Sequence, residues 1–487
     1  MRTVAKGSRL FDEDPIDNPN HRRILEHSPL SGADGQFEGD LLRRGILNDY
    51  LSRLNRHPAR RVDIAVSSST ELGRVVLDYI VNERKPWVAY AQITNTGTEA
   101  TGEWRERIGF IHYQLTDADD ILAADFITSS FDQSNAALVS YQRPLFYPNY
   151  LVAKAGASWS KYTAEELGSA NLTYEGQTIG AYAELRYSPF RLLKFDFDFT
   201  AGIRFDSIDV ENFRVLVPLD PSQPTQVDPL NSGSGTLLTP YLRAEISRRE
   251  RTWRVSAFAD IEGTFTSAED DEIDFLGRTL AADNTIEGHL GVDASTYLEP
   301  LIFWKGWDDP ETWRTSTLAH EVNLRFRGQW AMDRLLAQRQ FISGGMFSVR
   351  GYPENVAAGD GGYFINLEYN LHLPRLLRPS NLDDETPARW FGRYEIRPPS
   401  VYAKPDWDLI LRGFFDYGQN FVVEPLGSED ENTLSGAGIG LEFQFYSYLT
   451  LRVDYATIMK TVTRVNIPVE DAEDGDSRLH ILATFSW

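Results

Sequence analysis

The sequence predicts an all-β transmembrane barrel of about sixteen antiparallel strands, preceded by a small α+β module. Three observations predict it. Beyond Trp87, apolar residues recur at every second position over long stretches, the period of a strand with two unlike faces. The connections between these stretches alternate between short and long. The chain also ends on Leu479, Ile481, Ala483, Phe485 and Trp487, alternating up to a terminal aromatic.

Composition narrows the alternatives. The 487 residues carry 48 Lys and Arg against 71 Asp and Glu, a net charge of −23, which leaves no general electrostatic footprint for nucleic acid. With no cysteine there is neither a disulfide framework nor a thiolate metal site. Mean hydropathy is −0.36. No run approaches the roughly 18 apolar residues of a membrane-spanning helix, whereas barrel strands hide their hydrophobicity by alternation. Residues 1–20 lack the apolar core of a secretory signal, so an outer-membrane destination carries the expectation that this N-terminus is incomplete.

Residues 1–35, with Pro15, Pro19 and Pro29, read as irregular. The module is expected over 36–86. From Glu38 to Arg56, Leu41, Leu42, Ile46, Leu47, Tyr50, Leu51 and Leu54 fall at helical spacing, and strands follow at Arg61–Val66 and Arg74–Val81.

The barrel is expected over 87–487. Its strand candidates are 87–97, 103–115, 119–131, 134–143, 150–162, 176–188, 193–206, 237–249, 252–266, 285–299, 316–330, 362–373, 407–419, 433–446, 448–459 and 477–487. The clearest sets Phe195, Phe197, Phe199, Ile203 and Phe205 against Lys194, Asp196, Asp198, Arg204 and Asp206. Most connections on the module's side are short and most on the other side long, as periplasmic turns and extracellular loops would be. The Pro- and Arg-rich segment 374–406 is the exception, and reads either as an insertion or as a place where the strand count differs. An even strand count returns the chain to the module's side. Unpaired edges in hydrocarbon cost several kcal/mol per group, so the sheet must close, and sixteen strands enclose a wide lumen.

The stretch 341–373 carries the functional signal. Its Gly- and Ser-rich first half holds one arginine, in Val349-Arg350-Gly351-Tyr352, and its second half is a strictly alternating strand. If this loop tucks into the lumen, Arg350 needs a partner. The strand beginning at Trp407 offers one, because Leu409, Leu411, Phe415 and Tyr417 share the outward parity and Asp416 points inward with Arg412. A bidentate Arg–carboxylate pair would fix one loop position.

Together, Val349-Arg350-Gly351-Tyr352, the run Phe414-Phe415-Asp416-Tyr417-Gly418 and the terminal Phe485-Ser486-Trp487 resemble the two-partner secretion transporters. These are the haemolysin secretion/activation proteins of the POTRA-plus-barrel superfamily. Leu54-Asn55-Arg56-His57-Pro58, Arg60-Arg61-Val62 and Pro86-Trp87 are similar to the end of that family's last POTRA domain. The resemblance spans residues 38–487. It implies an outer-membrane pore of a Gram-negative-type bacterium that exports an unfolded, mostly β-helical partner protein, with the POTRA-like domain receiving it in the periplasm. It also implies that Arg350 pairs with Asp416 in the lumen, and that Phe485 and Trp487 form a signal read by the barrel-assembly machinery. The family has a plug helix and two POTRA domains, whereas one such domain is evident in this sequence.

The competing reading is an insertase of the barrel-assembly class, sharing the loop motif and strand Asp but opening a weak seam between first and last strands. An enzyme is a third. His112, His320, His372 and His480 lie on strands without nucleophile–base spacing, so no catalytic residue, cofactor or metal is expected. The acidic runs 269–272 and 471–476 lack an EF-hand spacing.

Overall fold

The computed structural model describes residues 1–7, 16–30, 43–70, 75–131, 133–167, 172–216, 226–268, 273–274, 276, 278–302, 318–377, 379–380, 389–390, 393–427 and 429–487. The N-terminal module is a three-stranded sheet covered by helices. Strand β1 (Arg2–Gly7) runs parallel to β3 (Val75–Glu83), and β2 (Arg60–Ser68) pairs antiparallel with the other edge of β3. Helices α1 (Arg22–Glu26) and α2 (Arg44–Leu54) bury Ile24, Leu25, Leu47, Tyr50 and Leu54 against Val62, Leu77, Tyr79 and Val81.

Two expectations change here. Residues 1–35 are not simply irregular: Arg2–Gly7 supplies a strand, anchored by the Arg2–Asp78 pair at 2.7 Å. Local pattern could not reveal it, because a parallel edge strand is defined by its distant partner. Ile46 sits on the exposed side of α2, while Leu41 and Leu42 lie outside the described residues.

Sixteen strands then form the barrel: β4 (Trp87–Thr94), β5 (Arg105–Tyr113), β6 (Ile121–Ser129), β7 (Ser134–Phe146), β8 (Leu151–Leu167), β9 (Leu172–Tyr187), β10 (Phe195–Leu216), β11 (Gln226–Arg249), β12 (Trp253–Thr266), β13 (Asn284–Tyr297), β14 (His320–Ala331), β15 (Gly361–His372), β16 (Trp407–Phe421), β17 (Thr433–Phe445), β18 (Leu449–Ile458) and β19 (Ser477–Ser486). Each pairs antiparallel with its sequence neighbour, and β19 closes on β4. A two-residue stub, Arg191–Leu192, pairs with the start of β10.

The parity expected for a membrane barrel is visible in exposure. Phe199, Ile203, Phe205, Ile261, Leu367, Leu411, Phe415, Ile439 and Tyr455 face outward and are exposed, while Asp198, Asp260, Asn366, Asp416 and Asp454 face inward and are buried. A soluble sandwich would bury the first set. A lipid-facing wall exposes it.

Two connections differ from expectation. The loop placed at 207–236 is largely a hairpin extension, since β10 and β11 stay paired out to Leu216 and Gln226. In 374–406, the described residues include a turn at Leu373–Leu376 and a small hairpin, Arg389–Trp390 with Tyr394–Glu395. Trp390 lies 4.7 Å from Trp407, ring centre to ring centre, and Tyr394 4.8 Å from Phe445, so this hairpin covers the periplasmic ends of β16 and β17.

Candidate functional site: a loop latched inside the barrel

The connection from β14 to β15 turns back into the lumen. Phe341–Ser343 pairs with Ala357–Gly359, and residues 344–356 between them form a compact tip. Gly344 and Gly345 adopt φ of +104° and +101°. The tip closes on itself through Gly345 N–H to the Val349 carbonyl (3.1 Å) and Met346 N–H to Glu354 Oε1 (2.7 Å). Asn420 Nδ2 donates to the Phe341 carbonyl at 2.9 Å, tying the neck to β16.

Arg350 is the centre of the contact between loop and wall, 2% exposed, and Asp416 is 0% exposed. Its Nε and Nη2 donate to the two oxygens of Asp416 at 2.6 and 2.8 Å, and its own backbone N–H reaches Asp416 Oδ2 at 3.1 Å. The third nitrogen, Nη1, donates to Glu368 Oε1 at 2.6 Å and Asp454 Oδ2 at 3.2 Å. The guanidinium stacks 3.5 Å above the Phe414 ring. All three nitrogens of the planar fork therefore donate, four bonds to three carboxylates, a geometry lysine cannot reproduce.

The wall is itself crosslinked. Arg412 donates to Glu442 (2.5 Å), Asp454 (3.2 Å) and Asn370 (3.2 Å), and Arg452 donates to Asp454 (2.5 and 2.9 Å). Three arginines thus meet four carboxylates across β15, β16, β17 and β18. Asn366 Nδ2 bridges Asp416 (2.8 Å) and the Ser348 carbonyl (2.5 Å), bonding wall and loop together.

Shape reinforces charge. Gly351 has φ +99° and lies against the backbone of Thr457 and Ile458. At Gly436 on β17, an added Cβ would come within 2.1 Å of the Arg350 carbonyl, so any side chain there would lift the loop off the wall. Gly418 gives room to Val349, whose Cγ2 would lie 3.0 Å from a Cβ built there. Tyr352 Oη donates to the Lys460 carbonyl (2.5 Å) and accepts from Ser435 N–H (3.0 Å), and Val349 and Tyr352 join a buried cluster with Phe364, Leu434 and Ile458.

The structure brings together Val349, Arg350, Gly351, Tyr352, Phe414, Asp416 and Gly418. Phe485 and Trp487 lie apart, half exposed on the closing strand and its end. Sequence reasoning missed Glu368, Asp454, Gly436 and His480. The last lies on a strand with no catalytic spacing to mark it, yet its Nε2 accepts the Gly351 N–H at 3.1 Å. Inward parity could have flagged Glu368, Asp454 and His480, whereas nothing local marks Gly436.

Asp260, Glu262 and His289 come close enough to hold a metal ion. Their oxygens already serve other groups: Asp260 accepts from Arg243 and His289, and Glu262 from Arg204 and Arg339. Guanidinium groups hold the places an ion would take. The acidic run 269–272 lies outside the described residues. In the other run, Asp476 accepts the Glu473 N–H at 2.8 Å and so caps its own turn.

The module docks on the short-turn end of the barrel. Arg60 forms a bidentate pair with Asp119, both bonds 2.7 Å, in the turn between β5 and β6. Arg53 donates to the Ser188 carbonyl (2.8 Å) and stacks 3.9 Å from the Tyr150 ring, while Arg56 bonds Asp198 and Ser188 Oγ. Burial would raise the Asp119 pKa, but Arg60 outweighs it and holds the carboxyl below the usual range.

Comparison with known proteins agrees with this geometry. The model of the haemolysin secretion/activation protein family ShlB/FhaC/HecB matches residues 313–383, which include the loop motif and β15. The heme/hemopexin transporter protein HuxB of Haemophilus influenzae is 22% identical over 352 residues, 68% of this chain and 54% of its own length. The chain therefore spans about half the length of this curated relative. Among solved structures, CdiB from Escherichia coli superposes with a TM-score of 0.66 at 14% identity, covering 100% of this chain and 76% of that one. BamA from Haemophilus ducreyi gives 0.52 at 12% identity, covering 100% and 84%. The exposed apolar wall and these matches agree on an outer-membrane β-barrel; over residues 313–383 the chain is similar in sequence to the haemolysin secretion/activation proteins, and its fold is shared with CdiB and BamA.

Proposed function

We propose that this barrel exports an unfolded partner protein from the periplasm to the cell surface, and that the loop latched by Arg350 on Asp416 is part of the translocation machinery. The single observation that carries this reading is the buried, multiply bonded arginine. The loop lies against the β15–β18 wall and leaves a cavity of about 710 Å³ toward the β11–β14 side, which suits a passage beside a fixed element. The N-terminal module, with β1 to β3 and α1 and α2, would receive the partner as a POTRA domain does. Folding of a β-helical partner outside would supply direction, since no nucleotide motif is present. Phe485 and Trp487 would serve the barrel-assembly machinery during biogenesis.

One observation favours the insertase reading. The closing seam pairs only five residues, Leu482–Ser486 with Tyr90–Thr94, whereas every other barrel pair has eight or more among the described residues. The experiment is export of a candidate partner by cells carrying wild type or Arg350→Ala, with heat-modifiable migration checked for both. Export by wild type alone, with both barrels folded, supports the transporter. Unchanged export in cells lacking the protein, with loss of other barrels from the membrane, supports the insertase.

A further inference from the structure

Opposite the latch, a cavity of about 710 Å³ lies between the loop tip and the wall of β11 to β15. Seven arginines line it against three carboxylates; two of the seven, Arg350 and Arg452, are engaged in the latch, which leaves five on the facing wall, in a chain whose net charge is −23. The arrangement is layered. Arg254 and Arg325 extend into the water with side chains 57% and 49% exposed, while the nearby Glu321 stays at the wall, 12% exposed and 3.9 Å from Arg254. Arg325 and Arg327 share a single carboxylate, Asp293, at 3.2 and 2.6 Å, so that pair of cations is half neutralised. Across from them the tight turn of the loop tip buries Met346 and holds Phe347 out, 52% exposed, in the same cavity. An apolar ring kept in water inside a polar lumen forgoes burial worth about 25 cal/mol per Å².

We infer that Phe347 and the facing guanidiniums of Arg254, Arg325 and Arg327 form one contact surface for an extended polypeptide bearing carboxylate and apolar side chains. The inference rests on the transport reading for its occupant and deepens it. Guanidinium forks bond carboxylates and backbone carbonyls alike, and an aromatic face accepts any apolar side chain, so the surface recognises a chemistry rather than a sequence. A chain of opposite charge, rich in lysine, would meet repulsion along the same wall.

The test uses the full chain in lipid nanodiscs. The probes are a labelled unstructured peptide alternating Asp with Leu and Phe, and its counterpart with Lys in place of Asp, followed by fluorescence anisotropy. The acidic peptide should bind in preference. Phe347→Ala and the double variant Arg254→Gln/Arg325→Gln should each weaken it by roughly tenfold, the scale of one lost interface anchor. Arg254→Lys/Arg325→Lys should retain most of the binding, and all variants should keep heat-modifiable migration. Equal binding of both peptides, or unchanged affinity in both variants, overturns the inference. Partner export separates the two claims. Wild-type levels of export by the Phe347 and Arg→Gln variants would overturn this surface and leave the transport reading standing. Selective peptide binding in a protein that exports no partner would leave the surface and remove the transport reading.

Discussion

Two of the buried, bidentate Arg–Asp pairs among the described residues hold this molecule together in different ways. Arg350 on Asp416 secures the loop in the lumen, and Arg60 on Asp119 secures the module to the rim. The first sits in a network of three arginines and four carboxylates, with a stacked ring, a bonded backbone N–H and glycines cut to fit. The second meets one carboxylate, braced by Gln114 Nε2 on Asp119 at 2.7 Å. The contrast teaches that the same fork supports a shared latch in one place and a single-point joint in the other. Losing a peripheral carboxylate should be absorbed by the latch but not by the joint.

The largest effect expected is from Asp416→Ala, which removes four accepted bonds and leaves Arg350 held only through Nη1 by Glu368 and Asp454. The loss should be about 3–5 kcal/mol of loop seating, typical of breaking a buried pair on one side. Export should fail and residues 344–356 should become protease-accessible while the barrel still migrates heat-modifiably. Arg350→Ala should match it, and the double variant should be little worse than either. Independent, additive losses in that cycle would argue against direct coupling.

Next comes Asp119→Ala, expected to cost about 3 kcal/mol of docking, because Arg60 is left buried without the carboxylate that holds it bidentately. Limited proteolysis at the joint near Pro86 would read it, and a module as resistant as wild type would show that the Arg53 and Arg56 contacts suffice alone.

A third effect is acid-dependent. His57 is buried at this joint, neither ring nitrogen has a hydrogen-bond partner among the described residues, and burial pushes its pKa down to about 4 from 6.5. Its neutral form is the one the folded joint accepts. That contribution is complete above pH 6.5 and is lost as pH falls toward 4, amounting to about 2 kcal/mol by pH 5. Protease resistance of the joint should fall over that window in wild type, and much less in His57→Gln.

The smallest effect is Glu368→Gln. Arg350 and Arg412 keep other carboxylates, so loop seating should weaken by about 1 kcal/mol, within reach of one charge-assisted bond. A loss as large as that of Asp416→Ala would mean the network has no spare capacity.

The barrel was legible because lipid-facing strands write their geometry into parity. Phe199, Ile203 and Phe205 announced a wall, and the structure places them outward. Parity also put Asp416 inside with Arg412. What it left out were contacts between segments remote in the chain: Glu368 and Asp454 completing the Arg350 cage, His480 accepting the Gly351 N–H, and Gly436 making room for the Arg350 carbonyl. The strand Arg2–Gly7 was hidden for the same reason, and β10 and β11 were called short because their outer halves lack the apolar alternation of a membrane face.

By itself, then, the sequence determined the class of fold, the number and order of its strands, and the loop and strand that carry the motif. These follow from local periodicity and the need to satisfy backbone hydrogen bonds in lipid. Tertiary structure alone decided which carboxylates share Arg350, where the module docks and which wall the loop leaves free. Those outcomes depend on closure of the barrel, which brings residues more than a hundred positions apart within hydrogen-bond distance and lets one side chain's fit exclude another's.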